Sequence, residues 1–146
     1  TTVIAKKKTA WPPQITPAAV QQLQDFVRRI LSGYKEVPYH NREHAYHVII
    51  SVNKLLDMMA CCYTNMDEND KEAPKKFRPP PSFGLRNDPT AMFALVFAAL
   101  IHDVEHQGLP NRQLASENDR LAVLYNDQSI AENWSLYIAF SEFLQD

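Results

Sequence analysis

The sequence predicts an all-α fold, and three observations support that prediction. Apolar residues recur every three or four positions in several separate stretches, which is the period of an α-helix. The chain has 3 glycines against 10 prolines and little alternation of apolar and polar residues, whereas a β-sandwich or barrel needs many strands and turns. With 146 residues, of which 45% are hydrophobic and 22% charged, it can bury one hydrophobic core.

Charge and hydropathy exclude two classes of partner. Fifteen Lys and Arg residues against 17 Asp and Glu give a formal net charge of -2, so there is no basic field and we expect no nucleic-acid binding. The longest apolar run, 91–101, is too short for a membrane span, which needs roughly 20 residues. Cys61 and Cys62 are adjacent and no leader sequence is recognisable, which favours the cytoplasm or the cytoplasmic face of a larger membrane-attached protein.

The amino-terminal part divides into an arm and a helix. Residues 1–15 contain a lysine run and two prolines, so we expect a surface arm or linker. Thr16 followed by Pro17 is typical of a helix start, with a capping hydroxyl and a first-turn proline. Helical spacing of apolar residues continues up to Gly33, so the pattern predicts a first helix over 17–32.

A second helix and a long loop follow. Asn41 is a candidate cap, and the apolar period after it predicts a helix over 42–62. Residues 64–87 are acidic, then basic, then proline-rich, a composition that cannot bury enough apolar surface to form a core element. We therefore expect a flexible loop there, inside the domain formed by residues 16–146.

The third helix is predicted to be buried. Asp88 and Pro89 resemble an N-cap and a first-turn residue, and the apolar run up to Ile101 is hydrophobic on all sides. We expect this helix to carry His102 and Asp103 near its end.

Two further helices are predicted in the last third of the chain. Ser116 with Asp119 forms one capping pattern, and Ser129 with Glu132 forms another, that of a capping box. They predict helices over about 117–125 and 130–145.

All five histidines fall in two clusters. His40, His44 and His47 stand four and three positions apart at the start of the second helix, so neighbouring members can converge on one point. His44 is therefore a candidate metal ligand, with His40 just outside the helix. Taken alone, this cluster is explained as well by histidines satisfied at a helix start or in the core.

His102 and Asp103 are more informative, because a carboxylate that follows an apolar run is costly to bury without compensation. Pairing with an arginine or capping of a helix would supply that compensation. A bound cation would also do so, since imidazole and carboxylate together suit Zn²⁺, Mn²⁺ or Fe²⁺.

Three separated motifs in this order resemble the class I cyclic nucleotide phosphodiesterase catalytic domain. They are Tyr39-His40-Asn41-Arg42-Glu43-His44-Ala45, then His102-Asp103-Val104-Glu105-His106-Gln107-Gly108 with Asn111, and Tyr125-Asn126-Asp127-Gln128-Ser129-Ile130-Ala131-Glu132-Asn133. The resemblance covers about residues 17–146. The wider group of HD-type hydrolases shares only a histidine and a later His-Asp pair, so it would explain fewer of these residues.

The resemblance implies a set of site residues. His44, His102 and Asp103 match the ligands of a tighter metal, usually zinc, and Asp103 also reaches a second metal, usually magnesium or manganese. His40 matches the general acid that protonates the ribose 3′ oxygen. Four further positions match residues that support ligands or shape the substrate site: Tyr39, His106, Asn111 and Glu132. Glu132 is also explained as half of the capping box with Ser129.

The implied function is two-metal hydrolysis of cyclic AMP or cyclic GMP to the nucleoside 5′-monophosphate, in signal transduction. The chain departs from the family in two ways: Trp134 and Ser135 replace two histidines, and the rest of the catalytic domain, with another aspartate ligand, is missing. We therefore expect an amino-terminal half whose partners are that remaining half and the substrate. The alternatives are a degenerate, non-catalytic relative that binds a nucleotide or a partner, and a different HD-type phosphohydrolase.

Overall fold

A computed structural model of the protein describes residues 15–64, 84–85 and 88–144. Within these ranges the chain is built from helices without a strand, which confirms the all-α prediction. The elements are α1 (Pro17–Ser32), α2 (Arg42–Thr64), α3 (Pro89–Ile101), α4 (Asn111–Ser116), α5 (Arg120–Leu124) and α6 (Ile130–Phe143). None of these helices combines the length and hydropathy needed to cross a membrane.

The first three helices begin where the sequence predicts, because each start is fixed by a local side chain. Thr16, Asn41 and Asp88 each accept a hydrogen bond from the backbone N–H three residues later, at 3.2, 3.1 and 3.0 Å. These bonds satisfy N–H groups that have no partner inside the helix. A proline also occupies the first turn of α1 and of α3, where its missing N–H costs nothing.

The prediction that α3 is buried on all sides is wrong for the described part of the chain. Only its last turn, Ala99–Ile101, is buried, whereas Phe93 and Leu95 are 54% and 42% exposed. The helix packs mainly against α2 and touches α1 and α6 on one side, so its other side has no cover among the described residues. His102 and Asp103 lie in a turn immediately after α3 and not within it.

The predicted helix over 117–125 is replaced by two short helices. The sequence pattern missed α4 entirely, and the Ser116 hydroxyl donates to the Gln113 carbonyl at the end of α4 instead of capping the next helix. Asp119 is the cap of α5, accepting a hydrogen bond from Leu121 N at 2.8 Å. Of the two residues in the predicted capping pattern, Asp119 does cap a helix, whereas Ser116 lies at the end of the preceding one.

The last helix begins at Ile130 as predicted, but without a capping box. Ser129 has a left-handed backbone, with φ 43°, and its side chain makes no capping hydrogen bond. The predicted arm, apart from Ile15, and most of the predicted loop at 64–87 lie outside the described residues.

Two clusters of buried side chains form the core. The larger one surrounds the end of α3 and joins four helices through Phe26, Ile30, Tyr34, Ala45, Leu100, Ile101, Val104 and Ala139. The smaller one packs α4, α5 and α6 together through Leu114, Leu121, Ala122 and Ile130. The turn after α3 contributes Val104 to the larger cluster.

Gly33 ends α1 where the chain passes closest to this turn. A Cβ atom at Gly33 would lie 2.9 Å from Val104 Cγ2, and the Gly33 carbonyl accepts a hydrogen bond from Glu105 N at 3.1 Å. The backbone of Gly33 is right-handed, with φ -78°, so its conformation does not require glycine. Close approach alone therefore selects glycine here.

We predict that Gly33→Ala lowers the free energy of unfolding by about 1–3 kcal/mol, because the new methyl group overpacks a buried contact. Urea unfolding followed by circular dichroism measures the change. The neighbouring Ser32→Ala, on an exposed residue, should change stability by less than about 0.5 kcal/mol. A Gly33→Ala protein as stable as wild type would contradict the packing described for this turn.

Candidate metal centre

The fold brings the two histidine clusters together. His40 and His44 stand at the start of α2, while His102, Asp103 and His106 follow the end of α3. His44 Nε2 lies 3.4 Å from His102 Nε2 and 3.5 Å from Asp103 Oδ2, and His102 Nε2 lies 3.0 Å from the same carboxylate oxygen. Three potential ligand atoms from distant parts of the chain therefore face one point.

The orientation of the His102 ring is fixed by the end of α3. Its Nδ1 lies 3.0 Å from the carbonyl oxygen of Ala99, which can only accept a hydrogen bond. Nδ1 therefore carries the hydrogen, and in the neutral ring the lone pair is on Nε2, towards Asp103 and His44. A backbone carbonyl that fixes the tautomer in this way is typical of histidines that bind metals.

Asp103 Oδ2 is buried and lacks a hydrogen-bond donor among the described residues. Its contacts with the two imidazole nitrogens are close but not aligned as hydrogen bonds, so they leave the oxygen's lone pairs unused. A buried carboxylate oxygen without a donor is costly. A divalent cation would be bound by this oxygen and two imidazole lone pairs, which is a common donor set for zinc, so these residues fit a metal.

The charges in the site favour the form of Asp103 that binds a cation. Burial by itself would raise the pKa of Asp103, but the neighbouring His102, with smaller contributions from His40 and His106, lowers it below its usual value. The same contact with the carboxylate raises the pKa of His102, in spite of its burial. The carboxylate is therefore ionised at neutral pH, as a ligand must be.

His40 and His106 form a second group on the other side of Asp103. One ligand atom from each of the three residues lies within 4.8 Å of the others, and the two imidazole rings stack with centroids 3.9 Å apart. His106 Nδ1 accepts a hydrogen bond from Gly108 N at 2.9 Å, so a neutral His106 carries its hydrogen on Nε2. Burial, followed by the charge of His40, lowers the pKa of His106 and keeps it neutral.

Tyr39 lies on the outer side of the histidines. Its ring centroid is 4.5 Å from that of His44 and 4.9 Å from that of His40, and the residue is 64% exposed. The tyrosine therefore forms an edge of the site that is open to a molecule approaching from solvent.

Asn111 and Glu132 join α4 to α6. Asn111 Nδ2 donates to Glu132 Oε2 at 2.9 Å, and Asn111 Oδ1 accepts from Ala131 N at the same distance. The explanation of Glu132 as half of a capping box with Ser129 is therefore wrong. Glu132 also lies close enough to His106 for its charge to oppose the lowering of the His106 pKa.

The roles of two residues beside the site were not predicted from the sequence. The Tyr34 hydroxyl is buried beside the His102–Asp103 turn, and the Ser135 hydroxyl of α6 donates to the Val104 carbonyl at 2.8 Å. A serine among the inward-facing residues of α6, between Ile130 and Ala139, was a signal in the sequence. Tyr34 gave no such signal, because its position in the sequence fits an ordinary apolar core residue equally well.

Comparisons with known proteins show what this chain is similar to. A family described as 3′5′-cyclic nucleotide phosphodiesterase matches residues 39–146, which include every candidate site residue. The chain is 33% identical over 118 residues, 80% of its length, to 3′,5′-cyclic-AMP phosphodiesterase 4 of Dictyostelium discoideum. It is 34% identical over 106 residues, 73% of its length, to 3′,5′-cyclic-AMP phosphodiesterase, isoform F, of Drosophila melanogaster. It spans only 9% and 13% of the length of these two relatives.

We predict that Asn111→Ala destabilises the junction of α4 and α6 by about 1–2 kcal/mol, since it removes two hydrogen bonds at once. The measurement is the urea midpoint of unfolding. Gln113→Ala serves as the control. It removes only the exposed hydrogen bond between the side chains of Gln113 and Glu117, so it should leave the midpoint nearly unchanged. Equal midpoints for Asn111→Ala and wild type would mean that this link contributes nothing to the fold.

Proposed function

The chain belongs to the 3′5′-cyclic nucleotide phosphodiesterase family, and from this premise we propose that the whole protein hydrolyses a 3′,5′-cyclic nucleotide to the nucleoside 5′-monophosphate. The two relatives described above are named as cyclic-AMP phosphodiesterases, so cyclic AMP is the first substrate to test and cyclic GMP the second. The observation that best supports the proposal is the buried Asp103 Oδ2, which lacks a donor and faces two imidazole nitrogens.

In this proposal His44, His102 and Asp103 hold one divalent ion, zinc, and Asp103 also reaches a second, Mg²⁺ or Mn²⁺. The nitrogen and oxygen donors of the first group suit zinc, and a carboxylate can bridge two cations where an imidazole cannot. When bound, such ions supply positive charge opposite the phosphate and lower the pKa of water. His106 supports the site from the segment after α3, and Asn111 and Glu132 support it from α4 and α6.

His40 is the proposed proton donor. It lies outside the trio of ligand atoms around His102, yet its imidazole stacks on His106 and stands near Asp103. In the reaction a water oxygen bonds to phosphorus as the bond from phosphorus to the ribose 3′ oxygen breaks. A proton from His40 to that oxygen completes the leaving group, and the water returns a proton to the site. Tyr39 forms the open edge of the site beside His40.

The rest of the catalytic domain is the proposed partner of the exposed apolar surface, so that residues 16–146 form its amino-terminal half. A groove of about 590 Å³ between α1, α3 and α6 is lined mainly by apolar side chains, five of them phenylalanines, and α6 also exposes Leu136 and Tyr137. An apolar groove of this kind is typical of a surface that another part of a protein covers. The cytoplasm stays the predicted location.

A degenerate relative that binds without turnover is the second candidate, and Trp134 and Ser135 are the observations that favour it. Trp134 stacks on Tyr137 with ring centroids 5.4 Å apart and packs against the smaller core cluster. Ser135 is buried and hydrogen-bonded. Both residues therefore pack into the fold of this chain. They stand where the family pattern has two histidines.

We predict that His44→Ala and Asp103→Ala each abolish both zinc binding and hydrolysis of cyclic AMP by the whole protein, because each removes a ligand from a three-ligand site. Metal analysis after gel filtration and a turnover assay measure the two effects. His47→Ala, three residues further along α2 and exposed, is the matched control and should change neither. Retention of stoichiometric zinc in Asp103→Ala would exclude the proposed ligand set.

We predict that His40→Ala keeps the bound zinc but lowers kcat by about 10²- to 10⁴-fold, the usual cost of removing a general acid. The assay compares it with wild type and with His47→Ala at equal metal content. Loss of zinc from His40→Ala, or an unchanged kcat, would contradict its role as the proton donor. Substrate binding by the wild-type protein without any turnover would instead favour the degenerate relative.

A further inference from the structure

The turn that carries His102 and Asp103 begins with backbone groups that α3 itself cannot satisfy. The last four carbonyls of a helix have no partner within it. At the end of α3 the carbonyl of Ala99 faces the His102 ring, and that of Ile101 accepts from Val104 N at 3.3 Å. The carbonyl of Leu100, which is buried, needs a donor from elsewhere in the chain.

Tyr34 supplies that donor. Its hydroxyl donates to the Leu100 carbonyl at 2.8 Å and accepts a longer bond, 3.4 Å, from the backbone N–H of Asp103. The tyrosine is only 3% exposed, so water does not compete for these groups, and burial raises its pKa to about 12. One hydroxyl thus joins the last turn of α3 to the backbone of the candidate metal ligand.

Ser135 holds the opposite side of the same turn. Its hydroxyl, on a residue that is 1% exposed, donates to the carbonyl of Val104 at 2.8 Å. The next residue, Glu105, has φ 63°, a conformation that residues other than glycine rarely adopt, and its N–H donates to the Gly33 carbonyl. The turn is therefore held in an unusual shape by Gly33 and Tyr34, which follow α1, and by Ser135 of α6.

We propose that Tyr34 and Ser135 are positioning residues, which fix the backbone of the turn 102–105 so that His102 Nε2 and Asp103 Oδ2 face His44. The link to metal binding rests on the proposed function. The hydrogen bonds that hold the turn do not depend on it. Neither hydroxyl is one of the proposed ligands, and the hydrogen bonds of both go to backbone groups. Removal of either hydroxyl leaves a buried carbonyl without its donor, and the turn is expected to relax away from the geometry that three ligands require.

The first test measures metal binding with Co²⁺, whose visible spectrum reports the ligand geometry of a zinc site. We expect Tyr34→Phe and Ser135→Ala to weaken Co²⁺ binding by about 10- to 100-fold, the usual effect of losing a residue that supports a ligand. Their visible bands should shift as well. Ser116→Ala, which also removes a hydroxyl bonded to a backbone carbonyl but at the exposed end of α4, should bind Co²⁺ as wild type does.

A stability control separates positioning from general loosening. Ile130→Val removes one methylene from a fully buried residue in the smaller core cluster, which contains no residue of the turn. We expect it to lower the urea midpoint while Co²⁺ affinity and spectrum stay at wild-type values. Wild-type affinity in both Tyr34→Phe and Ser135→Ala, or an equal loss in Ile130→Val, would overturn the proposal.

A second test needs no metal and so distinguishes this proposal from the proposed function. In the metal-free protein, hydrogen exchange at the Asp103 amide should be about tenfold faster in Tyr34→Phe, and that at the Glu105 amide similarly faster in Ser135→Ala. If wild type binds no Co²⁺, the proposed metal site fails, but faster exchange still supports the positioning role. Unchanged exchange at both amides would refute that role whatever the metal result.

Discussion

The carboxylate of Asp103, whose Oδ2 atom is buried, is the constraint on which the rest of this site depends. An anion immediately after an apolar helix must be compensated, and the described chain provides two imidazole nitrogens without an aligned hydrogen bond to its Oδ2 atom. The surrounding structure serves to keep this arrangement. The carbonyl of Ala99, near the end of α3, orients the His102 ring, and α2 begins so that His44 faces the same oxygen. Gly33 lets the end of α1 approach the turn.

The parts of the fold that sequence could predict are those decided locally. Thr16, Asn41 and Asp88 each bond to a backbone N–H three residues away, so the starts of α1, α2 and α3 follow from short patterns. The rings of His40 and His44 are neighbours, with centroids 5.8 Å apart, but His40 precedes α2, so helical spacing alone does not determine this contact. That His44 would meet His102 depends on the packing of α2 against α3, which only the resemblance to a family implied.

The parts that sequence could not predict depend on contacts between distant residues. Tyr34 reaches Leu100 across 66 positions and Ser135 reaches Val104 across 31, and neither pairing leaves a periodic pattern. Glu132 fits a capping box by spacing, yet its carboxylate bonds to Asn111, 21 positions away. The uniformly apolar sequence of α3 indicated burial, but what covers a helix is decided by its neighbours, and the described helices reach only part of its surface.

We propose that His44, His102 and Asp103 together hold one divalent ion. Anomalous X-ray diffraction at the zinc edge, on crystals of the protein grown with zinc, tests this proposal most directly. We expect one strong peak at about 2.0–2.2 Å from His44 Nε2, His102 Nε2 and an Asp103 carboxylate oxygen. A peak that contacts other side chains, or full zinc content with no peak between these three residues, would contradict it.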